Sequence, residues 1–214
     1  MAIKYSCFIS YRHGNFEATR SFIEGFYTAL SGELEMLLDQ EVYLDRDRLK
    51  GGYLFNEALA EALCQSACMI MIFTPRYFSK EYSYCAREYQ AMVTLEKERL
   101  ELLRPTNGKK EGFIIPVVLR NADSLPAEIK GERHFHDFSR FSLSDRKMSR
   151  NSTYTPQFKE IAQYVADRCN SLRAVSDQLT TDCQEFSFPS EDDIGDWIDQ
   201  VTDTQPPAFP GRGG

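Results

Sequence analysis

The stretch Cys68-Met-Ile-Met-Ile-Phe-Thr-Pro75 sets the fold class of this chain. Its first six residues are all apolar, and Thr-Pro closes the run. Such a short, continuous apolar run is typical of a strand that is covered on both faces of a sheet. Phe113–Leu119 is a second run of the same kind. Strands covered on both faces are characteristic of parallel sheets, so the two runs favour an α/β protein.

Amphipathic helices alternate with short strands on either side of these runs. Between residues 16 and 38, apolar side chains recur every three or four positions, as a helix with one buried face requires. The pattern predicts strands at Tyr5–Tyr11, Glu41–Asp45, Cys68–Phe73, Phe113–Leu119 and Arg133–Phe138, and helices at 16–38, 54–66, 83–103 and 156–172. This order indicates a flavodoxin-like, doubly wound sheet of five parallel strands.

The 214 residues are most simply divided into one domain, residues 1–174, and an acidic C-terminal extension, residues 175–214. Within the extension, Ile194–Val201 with Trp197 predicts one short docking helix. The last ten residues, rich in Pro and Gly, are expected to be disordered. The terminal Gly213-Gly214 resembles the end of ubiquitin-like modifiers, but nothing upstream resembles that fold, so an unstructured end is the better interpretation.

Charge and hydropathy limit the classes of partner that we expect for this protein. The net charge is −7 and the sequence pI is about 5.1, without a basic run. This balance argues against nucleic acid or an anionic membrane as the main partner. No apolar stretch approaches the roughly 20 residues that span a bilayer, and the N-terminus does not resemble a signal peptide. We therefore expect a cytoplasmic protein.

The cysteines and histidines predict neither disulfides nor a metal centre. Six scattered cysteines without a secretory signal are expected to be reduced thiols. Cys64 and Cys68 could share a helix face, but no second Cys/His pair has metal-ligand spacing. His134 and His136 lie two apart on a predicted strand and share a face, yet no carboxylate or Cys is near them in sequence. We expect no metal site.

Polar segments follow the first three strands. They are Ser10-Tyr-Arg-His-Gly-Asn15, Asp45-Arg-Asp-Arg-Leu-Lys-Gly-Gly-Tyr53, and Ser83-Tyr-Cys-Ala-Arg-Glu88 at the start of the third helix. In doubly wound sheets, ligands bind beyond the carboxyl ends of the strands, where the strand order reverses. These three segments are therefore the candidate ligand site. No GxGxxG or P-loop is present, which excludes the usual dinucleotide redox and NTPase motifs.

The segments resemble the sequence boxes of TIR (Toll/interleukin-1 receptor) domains. Phe8-Ile-Ser-Tyr-Arg12 is similar to the opening box, and Asp45–Gly52 to the BB loop. Ser83-Tyr84-Cys85-x-x-Glu88 resembles the Ser-Trp-Cys-x-x-Glu motif of enzymatic members, with Tyr in the Trp place. Phe135-His-Asp-Phe138 resembles the late aromatic box. The resemblance covers most of the chain, which is similar to bacterial NAD-cleaving TIR domains and resembles stand-alone antiphage-defence (Thoeris-like) proteins.

The resemblance implies an NAD glycohydrolase or ADP-ribosyl cyclase, with NAD as substrate and no other cofactor. Its catalytic glutamate maps onto Glu88. The residues expected to bind NAD are Tyr11, Arg12, His13, Asp45, Arg46, Arg48, Ser83 and Tyr84. TIR enzymes commonly self-associate, and a separate effector protein could respond to a cyclic or conjugated ADP-ribose product. The absence of a recognisable second domain in the sequence favours such a signal.

Cleavage of the bond between nicotinamide and ribose is compatible with a single catalytic carboxylate. Nicotinamide leaves as a neutral molecule from a cationic pyridinium, so the general acid that ordinary glycosidases need is dispensable. Tyr84 and Glu88 are four residues apart and share a helix face, which would let a ring contact nicotinamide while the carboxylate reaches the ribose.

Each of these residues also has a simpler interpretation. Glu88 could be a solvated helix carboxylate, Tyr84 could pack in the core, and Arg12 could pair with Asp45 or Glu17. The charged side chains of residues 45–50 could simply belong to a polar loop, or they could form contacts between subunits. The competing function is a non-enzymatic TIR scaffold, whose members usually lack the glutamate after the third strand.

Overall fold

The computed structural model of the chain contains a sheet whose strands are β1 (Tyr5–Tyr11), β2 (Glu41–Leu44), β3 (Ser66–Phe73), β4 (Ile114–Val118) and β5 (His136–Asp137). Within the described residues, the strands pair in the order β2-β1-β3-β4-β5, and every pair is parallel. The order reverses direction between β1 and β3. This is the strand order of the flavodoxin-like fold, as predicted.

The structure describes residues 3–14, 17–45, 53–103, 111–142, 148 and 151–203. For residues 53–55 and 203 it describes the backbone and not the side chain. Several predicted features therefore lie outside the described residues: Arg46, Arg48, the Gly51-Gly52 pair and the last ten residues.

The helices are α1 (Glu17–Leu34), α2 (Tyr53–Cys64), α3 (Tyr84–Leu103), α4 (Ala127–Glu132), α5 (Thr155–Ala174) and α6 (Glu191–Asp203). Among them, α1 packs against α5, and α2 packs against α3. The four predicted helices are confirmed, although α1 ends four residues early. The predicted docking helix is also confirmed and is longer, as α6. The six-residue α4 was not predicted, because so short a helix has too little periodicity to detect.

The core forms where the sequence is most apolar. All eight residues of β3 are buried. The buried face of α1 carries Phe22 and Phe26, which contact Phe138, Phe141 and Phe158 with ring centroids 5.0 to 5.9 Å apart. Phe138 follows β5, so the aromatic segment 135–138 attaches the edge of the sheet to the core. The predicted strand at 133–138 is reduced to two paired residues, and among the described strands β5 pairs only with β4.

Two buried charged side chains of α3 fix the strands beside it. Arg99 donates hydrogen bonds to the carbonyl oxygens of Ala67 and Cys64, both at 2.9 Å, across the turn that leads into β3. Burial lowers the pKa of Arg99 to about 10, so it remains charged at neutral pH. Glu96 accepts hydrogen bonds from the Phe113 backbone N–H and from the Arg133 guanidinium, both at 2.5 Å. These contacts set the register at which β3 and β4 begin.

Residues 176–203, here termed the C-terminal strap, are linked to the domain by a disulfide. Cys183 bonds to Cys64 at the end of α2, with the Cα atoms 5.5 Å apart. The prediction of six reduced thiols is therefore wrong for this pair, which is separated by 119 positions in sequence. Cys7, Cys68, Cys85 and Cys169 are buried and form no disulfide.

Cys64 and Cys68 do not share a helix face, because Cys68 lies in β3. Among the described helices, none combines the length and the apolar character needed to cross a bilayer.

Candidate functional site

Glu88 lies at the point where the strand order reverses. Ser10 stands near the carboxyl end of β1, and its hydroxyl donates a hydrogen bond of 2.5 Å to Oε2 of Glu88 in α3. The Tyr77 hydroxyl, from the loop after β3, is also 2.5 Å from the Ser10 oxygen. Since the single Ser10 proton goes to Glu88, Tyr77 must donate to Ser10. The three groups therefore form a relay directed at the carboxylate.

These groups are enclosed. Ser10 and Glu88 are each 1% exposed, and Tyr77 is fully buried. The interpretation of Glu88 as a solvated helix carboxylate is therefore wrong. A carboxylate is costly to bury unless hydrogen bonds replace its hydration. The Tyr77–Ser10 relay offsets part of that cost and fixes the direction in which Oε2 points.

A second cluster joins the loops after β1 and β2. The Tyr11 hydroxyl donates to the backbone carbonyl of Asp45 at 2.8 Å. The His13 ring stacks on Tyr11, with centroids 4.3 Å apart, and its Nε2 lies 3.8 Å from Oδ2 of Asp45. Three of the predicted binding residues thus meet at one place, at the carboxyl edge of the sheet.

Arg12 points to different groups. Its Nη1 donates to the Arg76 carbonyl at 3.1 Å, and its guanidinium lies 4.3 Å from the Tyr82 ring centre. In the described part of the chain, the local partner of Asp45 is therefore His13, not Arg12. Arg12 connects the end of β1 with the 76–82 loop, on the β3 side of the reversal point.

The predicted motif at the start of α3 divides into a buried and an exposed half. Ser83 is buried, and its hydroxyl donates to Oε1 of Glu191 at 2.5 Å. Tyr84 is 38% exposed, which excludes core packing, and the Arg87 guanidinium lies 5.6 Å from its ring centre. Ser83 and Glu88 thus face protein, whereas Tyr84 presents its ring to solvent.

The C-terminal strap covers the region around this motif. Arg87 Nε donates to the Pro189 carbonyl at 2.5 Å, next to the Ser83–Glu191 contact. Lys80 pairs with Asp199 at 2.7 Å. No local pattern indicates that these distant residues meet, because each partner is more than a hundred positions from the other.

Tyr77 lies outside the three segments that the sequence indicated as the candidate ligand site, and Ser10 lies inside one of them but was not among the predicted binding residues. Tyr77 lies two residues after Thr74-Pro75, in a loop at the same edge of the sheet as Ser10. The rule that directed attention to the loops after the strands also applies to this one. A tyrosine at that edge was the available signal.

A surface groove of about 420 Å³ opens between α3 and the strap. Its lining includes Gln90, Phe188 and Trp197, and none of the residues predicted to bind NAD. The groove therefore does not mark the Glu88 site.

The expectation of no metal site rested on the lack of a nearby carboxylate, and folding supplies one. Glu160 of α5 approaches His134 and His136, so that one ligand atom from each lies within 4.8 Å of the others. Burial lowers the pKa of His136, which favours the neutral imidazole.

Comparison with known proteins assigns the family. The sequence model described as "TIR domain" matches residues 7–150, more than half of the chain. That range contains Ser10, Tyr77 and Glu88 and ends before the C-terminal strap. No curated protein matches the sequence. With the five-stranded parallel sheet and the order of its strands, the match leads to one conclusion: the chain belongs to the TIR-domain family.

Proposed function

We propose that this TIR domain cleaves NAD between nicotinamide and ribose, with Glu88 as the catalytic carboxylate. The observation that carries the proposal is the Ser10–Glu88 hydrogen bond at the reversal point of the sheet. A buried carboxylate aimed by two hydroxyl groups, in the region where doubly wound sheets bind ligands, is a functional-site candidate on physical grounds.

One fixed anion is sufficient for this bond. As nicotinamide departs neutral, positive charge develops on the ribose, and a preorganised carboxylate stabilises that charge. The relay from Tyr77 through Ser10 holds the carboxylate in one orientation, so little reorganisation is needed during the reaction. Glu88 would also orient the ribose hydroxyl groups and assist the incoming nucleophile.

Cationic groups at the same edge would hold the pyrophosphate. Arg12 and His13 follow β1 directly, and Arg46 and Arg48 are further candidates outside the described residues. Arg12 already lies against the 76–82 loop, where its guanidinium covers the Tyr82 ring. The partly exposed ring of Tyr84 is the proposed surface for nicotinamide.

Access to Glu88 requires movement, because the carboxylate is 1% exposed. We propose that self-association through TIR surfaces opens the site or completes it, as the resemblance to TIR enzymes suggests. The product would be ADP-ribose or a cyclic or conjugated form. A cytoplasmic role in antiphage defence, with a separate effector that responds to the product, rests on the same resemblance.

The test is to incubate concentrated or crowded protein with NAD and to separate the products by mass-detected chromatography. Free nicotinamide should appear with the wild type and be lost in Glu88→Gln, which keeps the shape of the side chain. Glu101→Gln is the matched control, since Glu101 is an exposed glutamate on the same helix. Full activity in Glu88→Gln would show that Glu88 is not the catalytic group.

A second candidate function is a non-enzymatic TIR scaffold. The enclosure of Glu88 favours it, because a carboxylate of α3 that is buried against Ser10 of β1 could serve stability alone. Sedimentation of the same samples reports whether the protein assembles, and together with the NAD measurement it distinguishes the two functions. A protein that assembles and leaves NAD intact under all conditions would be a scaffold.

A further inference from the structure

Three potential metal ligands meet at the β5 edge of the sheet, at the opposite end of the strand order from β2. His136 lies in β5, His134 lies two positions before it, and Glu160 lies in α5. One ligand atom from each lies within 4.8 Å of the other two. The imidazole rings are 5.5 Å apart and nearly perpendicular, at 82°. His134 precedes β5, and its ring lies against that of His136.

The three side chains are available as ligands. In the described part of the chain, none of them forms a side-chain hydrogen bond or ion pair with another residue. His136 is 9% exposed and faces the other two, while His134 and Glu160 are exposed to solvent. The exposed His134 and Glu160 leave a route by which an ion could reach His136.

We propose that His134, His136 and Glu160 bind a divalent transition metal ion of the zinc class. Two imidazoles and a carboxylate, with water in the fourth position, form a usual tetrahedral set for zinc. Imidazole nitrogen also favours zinc, cobalt or nickel over magnesium and calcium, which prefer oxygen ligands. Ligand atoms around zinc are about 3.4 Å apart, so rotation of the exposed His134 and Glu160 side chains closes the set.

The ion would connect two elements that meet at the edge of the sheet. Strand β5 has two residues and pairs only with β4 among the described strands. A metal held by β5 and α5 would attach this short strand to a twenty-residue helix. Because the folded state alone brings the three ligands together, binding would stabilise the fold.

This site is independent of the proposed NAD chemistry. Glu88 contacts β1, whereas His136 pairs with β4, two strands further along the sheet. Metal binding can therefore succeed or fail whether or not the protein cleaves NAD.

The experiment uses untagged, chelator-treated full-length protein. Co²⁺ is titrated as a spectroscopic probe, and Zn²⁺ binding is measured by calorimetry and by the shift in unfolding temperature. We expect one equivalent of metal, the visible absorption of tetrahedral Co²⁺ with nitrogen and oxygen ligands, and a higher unfolding temperature. His136→Ala and Glu160→Gln should each weaken binding by at least about tenfold.

The control is Asp167→Asn, an exposed carboxylate on α5 that lies outside the cluster. It should bind metal as the wild type does. His134→Ala and Glu160→Gln alter exposed side chains, so they keep the test valid if His136→Ala does not fold. Wild-type protein that binds no metal, or binding that persists in Glu160→Gln and His134→Ala, would overturn the proposal. Thiolate-to-cobalt absorption would assign the metal to cysteines and would also overturn it.

Discussion

The indole of Trp197 lies parallel to the ring of Tyr89, with centroids 5.4 Å apart and 13° between the planes. Tyr89 is the residue directly after Glu88. Trp197 also meets Phe78 edge to face at 5.2 Å, in the loop that carries Tyr77. The C-terminal strap, which lies beyond the matched TIR range, therefore contacts both segments that position the candidate carboxylate.

This aromatic contact should contribute measurably to stability. Trp197→Ala removes a partly buried ring and its two aromatic partners, so we expect a loss of about 2 kcal/mol in the free energy of unfolding. Equilibrium denaturation measures it. Met36→Ala, at a residue that is 71% exposed, is the control and should change little. An equal effect of both substitutions would contradict a specific role for the indole.

The Ser10 hydroxyl should matter for turnover more than for folding. Ser10→Ala removes the hydroxyl that connects Tyr77 with Glu88 and leaves the carboxylate less well oriented. A hydrogen bond to a charged group is worth about 1.5–3 kcal/mol, so the rate of NAD cleavage should fall about 10- to 100-fold. Steady-state kinetics should show the loss in kcat rather than in KM. An unchanged kcat would exclude a positioning role for Ser10.

Glu98 should make attachment of the strap dependent on pH. Burial acts to raise its pKa, but hydrogen bonds from Thr181 and Thr180 outweigh burial and hold the pKa below the usual 4.5. The unfolded chain therefore binds this proton more readily, and the contribution to stability is complete above pH 4.5. It is lost as the pH falls through the lower, folded-state pKa.

The measurement is the free energy of unfolding as a function of acidic pH. Glu98→Gln cannot titrate, so its stability should fall less steeply with acid than that of the wild type. Glu101→Gln, one turn along α3 and without these threonine contacts, is the control. Identical acid dependence in wild type and Glu98→Gln would contradict the assignment.

The Cys64–Cys183 bond should be detectable by counting thiols. Protein denatured without reductant should expose four free thiols, since Cys7, Cys68, Cys85 and Cys169 form no disulfide. After reduction, the count should rise to the six cysteines of the sequence. Six thiols before reduction would show that Cys64 and Cys183 stay reduced, as cysteine thiols usually do in a cytosolic environment.

The sequence by itself determined the sheet and the edge that carries the candidate site. Runs such as Cys68–Phe73 are apolar throughout, and local periodicity is sufficient to distinguish them from the helix at 16–38. Because the carboxyl ends of parallel strands lie at one edge, sequence order also placed Ser10 and Glu88 in the same region.

Tertiary structure alone decided which of those side chains touch. Ser10 and Glu88 are 78 positions apart, Cys64 and Cys183 are 119 apart, and Glu160 is distant in sequence from His136. Local patterns report which face of a helix or strand is buried and carry no information about the partner on a different element. Whether a carboxylate is solvated, paired or ready to bind a metal depends on that partner. The surroundings of Glu88 and of the His134–His136–Glu160 cluster therefore became visible only in the folded chain.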